Sequence, residues 1–104
     1  MSFEELLAEL KNGKNMEQLT EGFDVECIEN EVYEDEDLYT FLAFIGAEIE
    51  DFGVGYAEIS TSSGKVYEVP YENRQNRFDD DLPDETILLF DHERIYDVTD
   101  SRKE

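Results

Sequence analysis

Fifty consecutive residues, from Asn15 to Gly64, contain fourteen acids and no Lys, Arg or His. Whatever fold this chain adopts must keep those carboxylates hydrated, and must do so without pairs of opposite sign. Ordinary solvated faces interleave both signs and gain small i,i+4 or cross-strand pairings, which half of this chain forgoes. The densest stretch is EVYEDEDLY, residues 31 to 39, where Glu31, Glu34, Asp35, Glu36 and Asp37 surround Tyr33 and lead to Tyr39. Over all 104 residues, 29 acids stand against 8 bases, a formal net charge of −21. Self-repulsion at this density destabilises a compact state, most strongly at low salt. A role outside folding is therefore expected to maintain it.

The chain is nevertheless expected to fold. Disordered acidic sequences are poor in aromatics, whereas this one is 39% hydrophobic with seven Phe and six Tyr. Its length fits one small acidic domain spanning 1–104 with a single core. SFEELLAELKNG reads as a helix. Ser2 and Glu5 have capping-box spacing, Glu4 and Glu5 sit at the positive helix end, and Phe3, Leu6, Leu7 and Leu10 form one apolar stripe before Gly13. A short helical turn is expected at Met16 to Leu19. FDVECIENEVY alternates loosely, placing Phe23, Val25 and Cys27 on one strand face, with a bulge absorbing the slip at Ile28.

Residues 38 to 52 carry two conflicting signals. Leu38, Phe41, Leu42, Ile45, Ile49 and Phe52 share a helical face with Asp37 placed as a cap. The aromatic and β-branched content favours a strand, and Gly46 would cost a helix about 1 kcal/mol. We read a central strand through residue 49. VGYAEIS and KVYEVPY flank a turn ending at Gly64, a hairpin signal, and Pro70 puts the second run at a sheet edge or near a strand end. A polar loop of about fourteen residues follows, then a final hairpin TILLF-DHER-IYDV and a frayed tail at 99–104. The composite is α+β: an N-terminal helix packed on a mostly antiparallel β-sheet with C-terminal hairpins.

Catalytic chemistry finds little support. The lone Cys27 and lone His92 stand in unrelated contexts, so no nucleophile–base pair is legible. Cys27 reads as a small core residue and His92 as an exposed turn residue. Phosphate-loop, paired-cysteine and HExxH patterns are absent. Neither DEDLYTFLAFIG nor DDDLPDETILLF supplies the alternating ligands and glycine of a calcium loop. We expect no catalytic residues, no cofactor and no metal. One cysteine permits no internal disulfide. Glu4 and Glu5 stand where a secretory leader carries positive charge, and the longest nearly apolar run, LYTFLAFIGA, is half a membrane span. The expectation is a soluble cytoplasmic protein with no membrane partner.

Phosphate is bound by Lys and Arg, so direct nucleic-acid binding is disfavoured. Arg74 and Arg77 read as local neutralisers of Asp79 to Asp81. The field is better suited to a basic partner. A domain of this length should have a radius of gyration near ~13 Å and measure ~33 Å across. A duplex of that length carries about twenty phosphates, similar in total to this chain. If residues 29 to 37 are extended, Glu29, Glu31, Asp35 and Asp37 share a face with Tyr33 at a spacing of ~6.6 Å. Tyrosines among acids add buried area and can stack on Arg.

In size, charge and aromatic content the chain resembles the small phage and plasmid proteins that mimic DNA. No shared motif carries the resemblance, so it transfers no residue roles. It implies a non-enzymatic inhibitor that blocks the basic DNA- or RNA-binding surface of a restriction, CRISPR or other nucleic-acid-processing protein, in the host cytoplasm if phage-encoded. The expected partner-binding residues are Glu29, Glu31, Tyr33, Glu34, Asp35, Glu36, Asp37 and Tyr39, followed by Asp79, Asp80 and Asp81. Three other readings stay open: an immunity protein or antitoxin neutralising a basic nuclease toxin, an acidic adaptor of basic proteins, and a halophile's acidic surface. A homodimeric unit is also left open.

Overall fold

The computed structural model describes residues 1–102. Helix α1 (Phe3–Lys11) begins where the Ser2 hydroxyl accepts the Glu5 amide at 3.1 Å. It ends in a Schellman arrangement: the Gly13 amide donates to Leu10 and that of Lys14 to Glu9, with Gly13 at φ +98°. Asn15 and Gln18 cap each other across the single turn α2 (Met16–Leu19).

Strand β1 (Cys27–Ile28) is shorter than the alternation implied. Phe23 and Val25 do pack on the core, but as irregular chain, and a two-residue turn at Glu29–Asn30 replaces the expected bulge. Strand β2 (Glu31–Tyr33) then gives way to helix α3 (Glu36–Phe44). The strand expected through residue 49 is thus a helix followed by β3 (Ala47–Phe52). Gly46 explains the correction: it lies one residue past the C-cap Ile45 at φ +72°, where it ends the helix without straining it. Its missing side chain also matters, since a Cβ there would sit 2.6 Å from the Ser62 hydroxyl. The helical stripe is Leu38, Phe41, Leu42 and Ile45, all buried, and the cap is Asp35 rather than Asp37.

Strands β4 (Tyr56–Thr61) and β5 (Val66–Arg74) form the expected hairpin. β5 is a central strand, contrary to the edge position inferred from Pro70. Its first half pairs with β4 and its second half with β6 (Glu85–Leu89). The Tyr71 amide points toward β4, to Gly55. Alternation therefore turns the Pro70 nitrogen the other way, into the gap between β6 and β7 (Tyr96–Asp97), where no ladder bond is lost. β7 pairs with β5 at Tyr67 and Glu68, so TILLF and IYDV do not form a hairpin with each other. Thr99–Arg102 forms a helical turn, α4, instead of a frayed end. The Thr99 hydroxyl accepts the Val66 amide at 3.0 Å. Lys103 and Glu104, the rest of the expected tail, lie outside the described residues.

The architecture is α+β: one antiparallel sheet in the order β1-β2-β6-β5-β4-β3, with β7 beside β5. Helices α1, α2 and α3 contribute Phe3, Leu6, Leu10, Met16, Leu38, Phe41 and Leu42 to a core shared with Val32, Ala57, Ile59, Val69 and Leu88 from one sheet face. Phe3 packs on Tyr67 with ring centroids 5.0 Å apart. Helix α3 carries the chain from β2, one strand in from one edge of the sheet, to β3 at the other edge, and so places the acidic run and β3 apart. The Cα atoms span 42 × 31 × 23 Å with a radius of gyration of 13.5 Å. Among the described residues no helix is long and apolar enough to cross a membrane.

Candidate functional site

The acidic run does not form a continuous extended row. Of Glu29, Glu31, Tyr33, Asp35 and Asp37, only Glu31 and Tyr33 share a strand face. Glu29 sits in the β1–β2 turn at φ +55°, Asp35 caps α3, and Asp37 lies in its first turn. The cause is local. Asp35 Oδ1 accepts the Leu38 amide at 3.0 Å, and Glu36 and Asp37 then meet the positive end of the helix. Glu34 accepts the Tyr39 hydroxyl at 2.6 Å. Loss of hydration, together with that bond to Glu34, pushes the Tyr39 phenol up to about 12. The Asp37 carboxyl is also raised, first by loss of hydration and then by the carboxylates of Asp35, Asp24, Glu36 and Glu26. Part of this run therefore starts a helix, and the rest of its charge repels itself.

Two arginines remote in sequence reach the run. Arg74, at the end of β5, binds both carboxylate oxygens of Glu31 at 2.7 and 3.1 Å and also pairs with Glu72. Its hydrogen bonds hold the Glu31 carboxyl below its ordinary value. Arg77 lays its guanidinium 3.7 Å from the Tyr33 ring centroid, with Glu26 at 2.6 Å and Glu85 at 3.3 Å. These arginines neutralise Glu31, Glu72, Glu26 and Glu85, not Asp79 to Asp81 as expected. Asp79, Asp80 and Asp81 are exposed at the tip of the 75–84 loop, and Asp79 accepts the Asp81 amide at 2.9 Å. Tyr33, Glu34 and Asp35 line one open hollow of about 300 Å³ with the base of that loop. The two stretches singled out in the sequence are thus neighbours.

A third group of acids was not singled out. The helices cover one sheet face, and on the other the pairings Asp51↔Glu58 and Glu58↔Glu68 set acids side by side across β3, β4 and β5. Adjacent strands are about 4.8 Å apart, so the three residues fall within ~10 Å. Glu48 lies on the same face opposite Ser60. A β-bulge between Ile49 and Asp51 brings Glu50 beside them, where it accepts the Ser60 hydroxyl at 2.6 Å. Glu48, Glu50 and Asp51 are exposed, Glu68 is half-buried, and Glu58 is 8% exposed. Tyr96 borders the group opposite Glu68. Among the described residues no Lys or Arg forms an ion pair with Glu48, Glu50, Asp51 or Glu68. The signal was present in the sequence: in YAEIS and KVYEVPY each acid occupies the parity opposite the buried Ala57, Ile59, Tyr67 and Val69.

The open face therefore has two halves. Around β2, β6 and the second half of β5, acids are compensated by Arg74 and Arg77. Around β3, β4 and the first half of β5, Glu48, Glu50, Asp51 and Glu68 form no ion pair with Lys or Arg among the described residues. Among the described residues, no three His, Cys, Asp or Glu side chains are grouped to hold a metal ion. Cys27 is half-buried, 3.7 Å from the Thr20 hydroxyl, and burial raises its thiol pKa. His92 is exposed in a turn. Comparison with models of known protein families, with curated proteins and with solved structures finds no match to this chain.

Proposed function

We propose that the chain is a non-enzymatic inhibitor that occupies the nucleic-acid-binding surface of a basic protein, in the manner of a DNA or RNA mimic. The observation that carries this reading is the gathering of acids on the half of the open sheet face formed by β3, β4 and the first half of β5. There Glu48, Glu50 and Asp51 on β3 and Glu68 on β5, on either side of β4, form no ion pair with a Lys or Arg among the described residues. Like charges gathered on one surface repel and raise the free energy of the compact state. A cationic partner converts that cost into binding free energy. The scale is compatible, since a duplex as long as the 42 Å axis carries about 25 phosphates. The segment from Glu29 to Tyr39 and the Asp79–Asp81 tip extend the negative surface beyond this face.

The test uses affinity capture from the native host, followed by competition between this protein and DNA or RNA for the captured partner. Two amide sets then divide the surface. One replaces Glu34, Glu36 and Asp37 together with Asp35→Asn, which keeps the helix cap because Asn caps as well as Asp. The other replaces Glu48, Glu50, Asp51 and Glu68. Both sets should slow association by about tenfold or more at low salt without unfolding the domain, because steering depends on the summed field. A partner that still binds nucleic acid normally at saturating inhibitor would overturn the reading.

A further inference from the structure

We infer that Tyr33, Glu26 and Glu85 form an arginine-recognition cradle, occupied in the free protein by its own Arg77 and opened when an arginine of a basic partner displaces it. The inference deepens the inhibitor reading and rests on it for the source of the incoming arginine. The cradle itself is read from geometry. A guanidinium is planar, stacks on aromatic faces and donates in a fixed fork, whereas an ammonium is a hydrated point charge. Arg77 makes both kinds of contact, lying 3.7 Å from the Tyr33 centroid with carboxylates from two separate segments at its edge. Glu85 comes from β6, and its side chain is 17% exposed. Glu26 comes from the irregular segment before β1, and its side chain is 53% exposed. A second guanidinium can therefore reach the Glu26 side without disturbing a strand.

The occupant is also easily withdrawn. Arg77 belongs to the loop between β5 and β6, tied to β6 by one long bond from the Arg77 amide to Glu85 at 3.4 Å; the loop's other polar contacts are mostly its own, with Asn76 bonding Pro83, Phe78 and Asp79, and Leu82 bonding Asp79. Phe78 and Leu82 are 75% and 47% exposed, so the loop lacks an apolar anchor at its tip. Release of Arg77 would free Phe78 and Asp79 to Asp81, all in that loop, to meet the same partner. Self-occupation lowers apparent affinity in proportion to the fraction of open cradle. The cation–π contact on Tyr33, a longer one on Phe78 at 4.8 Å and two partly exposed ion pairs together correspond to about tenfold.

The experiment measures binding of the full chain to a short Arg-Gly peptide and to a Lys-Gly peptide of equal charge, at fixed ionic strength. Arg77→Gln should tighten the Arg peptide about tenfold. Arg94→Gln, which removes the same charge from an exposed turn, should give a much smaller change. The Lys peptide should respond alike to both substitutions. In the Arg77→Gln background, Tyr33→Leu should remove the gain and Tyr33→Phe should retain it. Arg77→Lys keeps the charge but loses the planar stack, and should give the same ordering at smaller amplitude even if Arg77→Gln unsettles the loop. No gain over Arg94→Gln, or equal gain for both peptides, would overturn the cradle while leaving the inhibitor reading intact. Conversely, an arginine preference in a protein that fails to displace nucleic acid from its partner would retain the cradle and remove the inhibitor.

Discussion

Glu29 should be a residue that costs the fold stability. Six described residues have positive φ, and at Gly13, Gly22, Gly46, Gly55 and Gly64 the sequence supplies glycine. The sixth is Glu29 at φ +55°, the first residue of the two-residue β1–β2 turn. An L side chain in this region costs roughly 1–2 kcal/mol, and two-residue hairpin turns favour Gly, Asn or Asp there. Its backbone is held in place by α2, since the Glu17 amide donates to the Glu29 carbonyl at 3.2 Å. Replacing Glu29 with Gly removes the side-chain strain but returns about 0.5–1 kcal/mol through unfolded-state entropy. The net expectation is a gain of about 0.5–1 kcal/mol, which for a domain of this size raises Tm by about 2–8 °C. Because the substitution also removes a negative charge, Glu29→Gln is the control: it loses the charge and keeps the strain. Urea and thermal unfolding should rank Glu29→Gly above Glu29→Gln, and both above the parent, with unchanged m values. Strained backbone persists most often at functional positions. If that holds here, Glu29→Gly should weaken partner binding more than Glu29→Gln, which loses only the carboxylate. A Glu29→Gly protein no more stable than Glu29→Gln would refute the strain argument.

Two further outcomes follow from α3 and its neighbours. Asp35→Ala should cost about 1 kcal/mol by removing the cap on the Leu38 amide, whereas Asp35→Asn should be nearly neutral; urea unfolding separates them. The acid limb of stability should be shaped by two carboxyls of opposite sign. Arg74 lowers the Glu31 pKa, so its stabilisation is complete above the unfolded value and is lost as pH falls through the folded one. Asp37 is raised, so it opposes folding above its folded pKa, and that opposition disappears below its unfolded value. At neutral pH, Glu31→Gln should therefore destabilise and Asp37→Asn should stabilise; the Asp37 difference should have vanished by the time pH falls to about 4, whereas the Glu31 difference should shrink only at progressively lower pH below about 4.

What the sequence made legible was local. Helix α1, with its Ser2 cap and Gly13 stop, is set by neighbours within four residues, as is the turn between β4 and β5. Residues 47 to 49 are strand as expected, and the stretch before them, 38 to 45, turned on one residue. Gly46 was counted as a cost inside a helix, but its left-handed backbone makes it the terminator, a distinction of one position. Strand partners were less accessible, because β7 chooses β5 over β6 through tertiary register. The same limit hid the site. Arg74 lies 43 residues from Glu31, so the run seemed uncompensated when part of it is paired. The acids on β3, β4 and β5 are separated by intervening apolar residues, and only cross-strand pairing gathers them.

The division of labour between the two sheet faces explains how so much charge is compatible with a fold. Phe3, Leu6, Met16, Phe41 and Leu42 cover the inner face and are each at most 1% exposed; on the outer face Ile87 is buried between Tyr33 and Glu72, while the half around β3 and β4 is left largely to acids. The acids there repel at cross-strand distances of about 4.8–5.5 Å. That is shorter than the Debye length of about 8 Å at physiological salt, so mobile ions only partly relieve the repulsion. Full relief needs a cation fixed at a comparable distance, which a guanidinium or ammonium on a partner's surface supplies. At molar salt the Debye length falls to about 3 Å and the solvent itself would suffice. Screening between β3, β4 and β5 is therefore incomplete at ordinary salt and nearly complete at molar salt, so a basic surface should bind this face more weakly as salt is raised, whereas a surface adapted to brine should gain stability over the same range.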